Sequence, residues 1–201
     1  MSLNEQCFQG AERERWWLVA RGMQPTYQLR NGRAAFAAKE DVHGMALRSG
    51  GMSMPLEFTL PLGQYYYRFI DTVSHNIGVS RFGEAAYFGR WWVDAETLAA
   101  IRRQAKLTGD DLSEAAKYYL ALPYEWGDHR RLVRAQLVRP LRAWRGKGLP
   151  AHDARSGTRF IPPQHVEVAQ LFIPGERDLI HQAFAHAECL YTKDADRWFR
   201  S

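Results

Sequence analysis

Tyr65 to Trp92 reads YYYRFIDTVSHNIGVSRFGEAAYFGRWW. The opening YYYRFID has the aromatic and β-branched enrichment of a strand. A short polar turn at Ser74-His75-Asn76 follows, and Glu84 to Val93 predicts a further strand. Asp94 then stands where an N-cap belongs, before the amphipathic run DAETLAAIRRQAKL, and Gly109 ends that helix.

On the C-terminal side, Asp111 to Leu122 predicts a second helix. Asp110 or Asp111 caps it, Pro123 stops it, and Leu112, Ala115, Ala116, Tyr119 and Leu120 form its buried face. The period then changes to two. RRLVRAQLVRPLRAWRG (130–146) predicts one half-buried strand with a basic outer face, bent at Pro140. GKGLPAHDARSGTRFIPP is loop-like, and HVEVAQLFIPG (165–175) predicts a strand. Glu176 to Cys189 predicts a closing helix, with Leu179, Ile180, Phe184 and Ala187 on one face.

On the N-terminal side, LEFTLPL (56–62) is a strand, whereas 25–55 is broken by glycine and proline into loops with short strands, mobile between Arg48 and Ser53. A short helix is expected around Gln9 to Val19. Strands that flank a central helix pair give an α+β fold rather than a βαβ alternation. Residues 1–55 read as an N-terminal arm or lid, and 56–201 as a single α+β domain.

The chain has 201 residues, 46% hydrophobic and 13% aromatic, which suits a packed globular protein. Its net charge of +5 is compatible with nucleic acid, acidic proteins or phosphate ligands. Two cysteines near opposite ends make neither a disulfide framework nor a zinc spacing, so reduced thiols and a cytoplasmic working site are expected. No apolar run reaches the roughly 18 residues of a membrane helix, so no membrane partner is expected. The N-terminal sequence lacks the pattern of a signal peptide. Secretion, if it occurs, would use a specialised system or a delivery protein.

The seven histidines are scattered; His181 and His186 are five apart, on different faces of a helix. No metal pair, nucleophile elbow, Walker loop or dinucleotide-type glycine loop is present. What remains is a set of arginines beside aromatic faces. Alternation along a strand puts Tyr67 and Phe69 in the core and turns Arg68 toward a cleft, where it could clamp a pyrophosphate, or toward a carboxylate such as Asp71. Arg81, Phe82 and Gly83 offer charge, a stacking face and a flexible backbone, and Arg90 with Trp91 and Trp92 repeats the theme. Gln170 shares a strand face with Val168 and Phe172, where it needs a hydrogen-bond partner or a ligand. Glu167, three residues earlier, falls on the opposite face unless a bulge intervenes.

These residues resemble the ADP-ribosyltransferase fold over roughly Tyr65 to Gly175. The early strand arginine, the aromatic strand leading into a helix, and LVRPLRAWRGKG before a late strand carry the likeness. That strand's motif, Glu followed by apolar residues and Pro, is matched by Gln170-Leu171-Phe172-Ile173-Pro174. Two bacterial toxin branches are similar: NAD glycohydrolases with a late-strand glutamine, and toxins with a Gly-Arg-Trp motif. The resemblance implies a split β-sheet core with flanking helices. It implies a toxin-like effector that consumes NAD+ as substrate, without a metal, and transfers ADP-ribose to a macromolecular acceptor. A partner would be an immunity or delivery protein. Gln170 in place of glutamate favours NAD+ hydrolysis as the alternative. The implied catalytic residues are Gln170, Glu167 and Arg68. Arg68, Arg81, Phe82, Gly83, Arg90 and Trp92 would hold the dinucleotide. A second class remains beside it, a non-enzymatic module whose basic strand Arg130 to Lys147 engages RNA or an acidic protein.

Overall fold

The computed structural model describes residues 1–25, 29–30, 33–34, 45–47, 50–152, 157–163 and 167–199. Arg48 and Ser49, in the stretch expected to be mobile, lie outside these residues.

The N-terminal part holds helix α1 (Gly10–Ala20) and the short strands β1 (Met23–Pro25), β2 (Leu29–Arg30), β3 (Arg33–Ala34) and β4 (Met45–Leu47). Strands β5 (Met52–Thr59) and β6 (Tyr65–Ile70) follow, then helix α2 (Thr72–Phe82) and strand β7 (Trp91–Trp92). Helices α3 (Ala95–Thr108) and α4 (Leu112–Leu120) lead into β8 (Arg131–Leu137) and β9 (Arg142–Gly148). The chain closes with β10 (Ala151–His152), β11 (Arg159–Phe160), β12 (Gln170–Phe172), α5 (Arg177–Ala183) and β13 (Phe184–Tyr191).

Two antiparallel sheets form the centre, in the orders β5-β9-β12-β7 and β13-β8-β6. The fold is therefore α+β with a split sheet core, as the sequence implies. The sheets meet where Tyr67 and Val93 exchange backbone hydrogen bonds of 2.9 and 2.8 Å. One core cluster contains Tyr66, Trp92, Val133, Leu171 and Phe184 from both sheets. A second lies under α3 and α4, where Leu98, Ile101 and Ala105 follow the spacing of one helix face and meet Tyr67 and Leu132. A third seats α1 on the four-stranded sheet through Phe8, Trp16, Trp144 and Phe172. Fully buried Asn4 donates to the Arg142 and Pro174 carbonyls and accepts from the Arg142 N–H.

The caps act as expected on α3: Asp94 accepts from the Thr97 N–H at 2.8 Å, and Gly109 closes the helix in the left-handed conformation. Elsewhere the structure corrects the sequence reading. The region after Asp71 is α2 followed by a 3-10 turn (Gly83–Tyr87), not a turn and a long strand. Asp71 caps it by accepting from the Ser74 N–H at 2.8 Å. No residue of α2 is buried, so apolar periodicity carries little signal there.

Arg130 to Gly146 is two strands in different sheets, not one bent strand, and Pro140 lies in the link between β8 and β9. The long strand expected over 165–175 is confined to Gln170–Phe172 among the described residues. The closing helix stops at Ala183, and the rest of that stretch pairs with β8 as β13. A bulge between Ala185 and Glu188, with His186 at φ 51°, shifts the strand's phase and makes its apolar spacing resemble a helix. Among the described residues no helix is long and apolar enough to cross a membrane.

Candidate functional site

A cleft of about 920 Å³ opens where the two sheets meet. Arg68 of β6, with Gly89, Arg90 and Trp91 before and on β7, lines one part of it. Gln170 and Phe172 of β12 line another. The segment after α4 contributes Leu120, Trp126 and His129, and the rim carries Phe82, Glu176, Arg177 and Asp178.

Arg68 owes its place to strand alternation. Its neighbours Tyr67 and Phe69 are buried in the cluster under the helices, and Arg68 turns the other way. Its Nη1 donates to the Tyr87 carbonyl at 2.9 Å. The guanidinium lies against Gly89, where an added Cβ would come within 2.4 Å of Nη2, so only glycine allows this approach. Asp71 does not pair with it: that carboxylate accepts from the backbone N–H groups of Ser74 and Asp128. No carboxylate lies within ion-pair distance of Arg68 among the described residues. Burial first, then the like charge of Arg177, brings the Arg68 pKa down to about 10, so it is still a cation at neutral pH.

Gln170 is buried, and its Nε2 donates to the Leu120 carbonyl at 2.6 Å. That contact uses one of its two amide N–H donors, and no hydrogen bond among the described residues engages Oε1, the acceptor it can offer to the cleft. Glu167 is exposed and lines a separate cavity of about 630 Å³ beside β5 and β9. The structure therefore does not bring Glu167 and Gln170 together.

The remaining residues singled out in the sequence divide. Phe82 is exposed on the rim, and the Arg177 guanidinium lies 5.9 Å from its ring centroid. Arg90 lines the cleft, but its Nε donates to the Gly175 carbonyl at 3.0 Å and its guanidinium covers Trp16. Arg81 and Gly83 are exposed at the end of α2 and do not line the cleft. Trp92 is 2% exposed, stacks on Phe184 and donates to the Gly89 carbonyl, which places it in the core. Its neighbour Trp91 lines the cleft instead, edge-on to Phe172.

Sequence reasoning did not single out Trp126, His129 or Arg177. His129 is 7% exposed and sits at φ 52°, left-handed backbone that is uncommon outside glycine and asparagine. Burial first, then the Lys117 charge, lowers its pKa to about 4, so the ring is neutral at physiological pH. The available signal was its position in a short loop, Gly127-Asp128-His129, just after a helix stop and before a strand. Among the described residues no cluster of His, Cys, Asp or Glu is placed to hold a metal ion.

No protein-family model matches the chain. No curated protein matches it either. Among solved structures, a complex of Tne2 with Tni2 is similar at 14% identity, over 69% of this chain and 93% of that one, with a TM-score of 0.44. At that level the likeness says nothing of function, which rests on the cleft's own chemistry.

Proposed function

We propose that the cleft binds NAD+ and that the protein is a toxin-like enzyme that cleaves the bond between nicotinamide and ribose. One observation carries the reading: Arg68 is a desolvated cation that faces the cleft with no carboxylate beside it among the described residues. A half-buried charge without a counter-charge is costly, and a bound phosphate supplies one. Arg177 adds positive charge on the rim. Trp91 and Trp126 line the cleft with apolar ring surface beside a dinucleotide.

Hydrolysis is favoured over transfer to an acceptor, because Gln170 rather than a carboxylate stands on β12 and Glu167 lies in another cavity. The water oxygen bonds to ribose C1′, the C1′–N bond breaks with its electron pair leaving on nicotinamide, and the proton passes to solvent. The transition state resembles an oxocarbenium ion, as in glycoside cleavage. Gln170 Oε1 is the group suited to hold a ribose hydroxyl during that step. Arg68 would hold the phosphates so that the reacting end is fixed in place.

The basic run 130–147 supports the RNA-binding alternative poorly. Arg131 covers Tyr191, Arg134 meets Glu188, Arg142 meets Glu5 and Glu57, and Arg145 meets Asp94. These four of its seven cations are already engaged within the fold. The test is free nicotinamide released from NAD+ by the purified chain. Release that vanishes in Arg68→Ala is the expected result; no release from wild type, with or without cell lysate, would sink the reading. Labelled ADP-ribose transferred to lysate protein would select transferase over hydrolase.

A further inference from the structure

The charges that act on the polar groups of the cleft are not the same throughout. Arg68 feels Arg177, whereas His129 feels Lys117, Asp71 and Asp128. The loop that carries His129 is held by a set of reciprocal bonds. Asp128 N–H donates to Asp71 Oδ1 at 2.9 Å, and Thr72 N–H donates back to Asp128 Oδ1 at 2.8 Å. Arg130 N–H also donates to Asp128 Oδ1, at 3.1 Å. Gly127 packs so closely on Asp71 that a Cβ there would meet the Asp71 Cβ at 2.4 Å. This reciprocal latch ties the His129 loop to the end of β6, the strand that carries Arg68. It holds the residue in its left-handed backbone.

The ring is 7% exposed, and Nδ1 is closed off with no hydrogen-bond partner among the described residues. The residue lines the cleft, and the Gly127 backbone lies beside the ring. A latch of this kind, built to hold a polar ring at a cavity wall, points to a ligand group that the ring receives.

We propose that His129 is a substrate-positioning residue that receives the nicotinamide end of NAD+, its imidazole toward the carboxamide. The inference rests on the NAD+ reading of the same cleft and adds the direction in which the dinucleotide lies. Nicotinamide in NAD+ is a cationic ring that carries an uncharged carboxamide. A neutral imidazole suits both parts: it does not repel the ring's charge, and it can accept from or donate to an amide. Trp126, on the same loop, offers an indole face of the kind that attracts a ligand cation. The phosphates, by the same logic, go to Arg68 and Arg177.

Two ligands separate this from a structural role. Carba-NAD+, whose nicotinamide bond does not hydrolyse, carries the nicotinamide; ADP-ribose lacks it. Both are titrated by calorimetry into wild type and into His129→Asn, a residue that tolerates the left-handed backbone and so keeps the fold. A His129→Gln variant gives a second reading, and a melting curve accompanies each. The expected result is a loss of about tenfold in carba-NAD+ affinity, with ADP-ribose affinity changed less than about twofold. Equal loss of both ligands, or no loss of either, overturns the inference while the NAD+ reading stands. Wild type that binds neither ligand overturns the NAD+ reading, and this inference with it.

Discussion

Arg68 and Arg134 sit on neighbouring antiparallel strands, one residue out of register: Arg68 lies opposite Val133, and Arg134 lies opposite Tyr67. Their side chains therefore leave the sheet on opposite faces. Arg134 has its charge balanced within the fold, although its Nε is buried without a hydrogen-bond partner among the described residues. Both Glu188 oxygens lie 3.0 Å from its Nη2, and its guanidinium lies 4.8 Å from the ring centroids of both Tyr65 and Trp198. Arg68 finds one backbone carbonyl and a glycine. Two arginines of the same strand pair thus differ in kind. One closes the surface of the fold, and the other leaves a positive charge facing a cleft. Net charge does not make that distinction; the pairing of each cation does.

The sharpest way to break this comparison is Arg68→Ala. Loss of the phosphate clamp should lower nicotinamide release by about 100-fold or more, with the melting curve preserved. Arg68→Lys keeps the charge but not the bidentate fork, and should recover only part of the loss. Full activity in Arg68→Ala would mean that the two arginines are equivalent.

That Arg68 leaves the opposite face of β6 from Tyr67 and Phe69 was legible from strand alternation, and so was the inward place of Gln170. Helix α3 was legible through Asp94 and Gly109 because a capped helix carries local signals. Strand β13 was not, because the bulge at His186 disguises its period. Trp91 and Trp92 could not be told apart, since a two-residue strand has no phase to read. His129 was hidden for a different reason. Its placement depends on Asp71 and Asp128, which are 57 residues apart in sequence and meet only in the fold.

The next largest effect concerns that latch and acid. The folded pKa of His129, about 4, is depressed from its ordinary 6.5. The fold therefore favours the neutral ring. This contribution is whole above about pH 6.5 and is lost as pH falls toward 4, because the unfolded chain takes a proton that the folded chain refuses. Between pH 7 and 5 the loss should be about 2 kcal/mol, read as a drop in denaturant midpoint. Lys117, which repels the imidazolium, works with burial; Asp71 and Asp128 oppose it. Both carboxylates have lowered pKa values, held down chiefly by backbone N–H bonds against the opposing effect of burial, so their own contribution fades only at more acid pH. His129→Asn should flatten the profile between pH 7 and 5. An unchanged slope in that variant would show that the ring is not held neutral.

Gly89→Ala sharpens the contrast at smaller scale. The new Cβ would displace the Arg68 guanidinium, which sits at the end of a flexible side chain, so the fold should adjust at little cost. The price falls on geometry at the site: nicotinamide release should drop by about tenfold, mostly through KM, while the melting temperature changes little. A variant with wild-type kinetics would show that the position of the guanidinium is unimportant.

The smallest effect belongs to Arg134→Ala. Its ion pair with Glu188 is partly exposed, and such pairs contribute about 0 to 1 kcal/mol. Ring contacts with Tyr65 and Trp198 add about as much. Stability should fall by roughly 1 kcal/mol, and the ion-pair part of that loss should shrink as salt screens it. Nicotinamide release should not change, since Arg134 leaves the opposite face of the sheet from Arg68. The two variants together form the test: Arg68→Ala removes activity and spares the fold, and Arg134→Ala does the reverse. If Arg134→Ala also abolished release, the face of the sheet would not be what separates the two arginines.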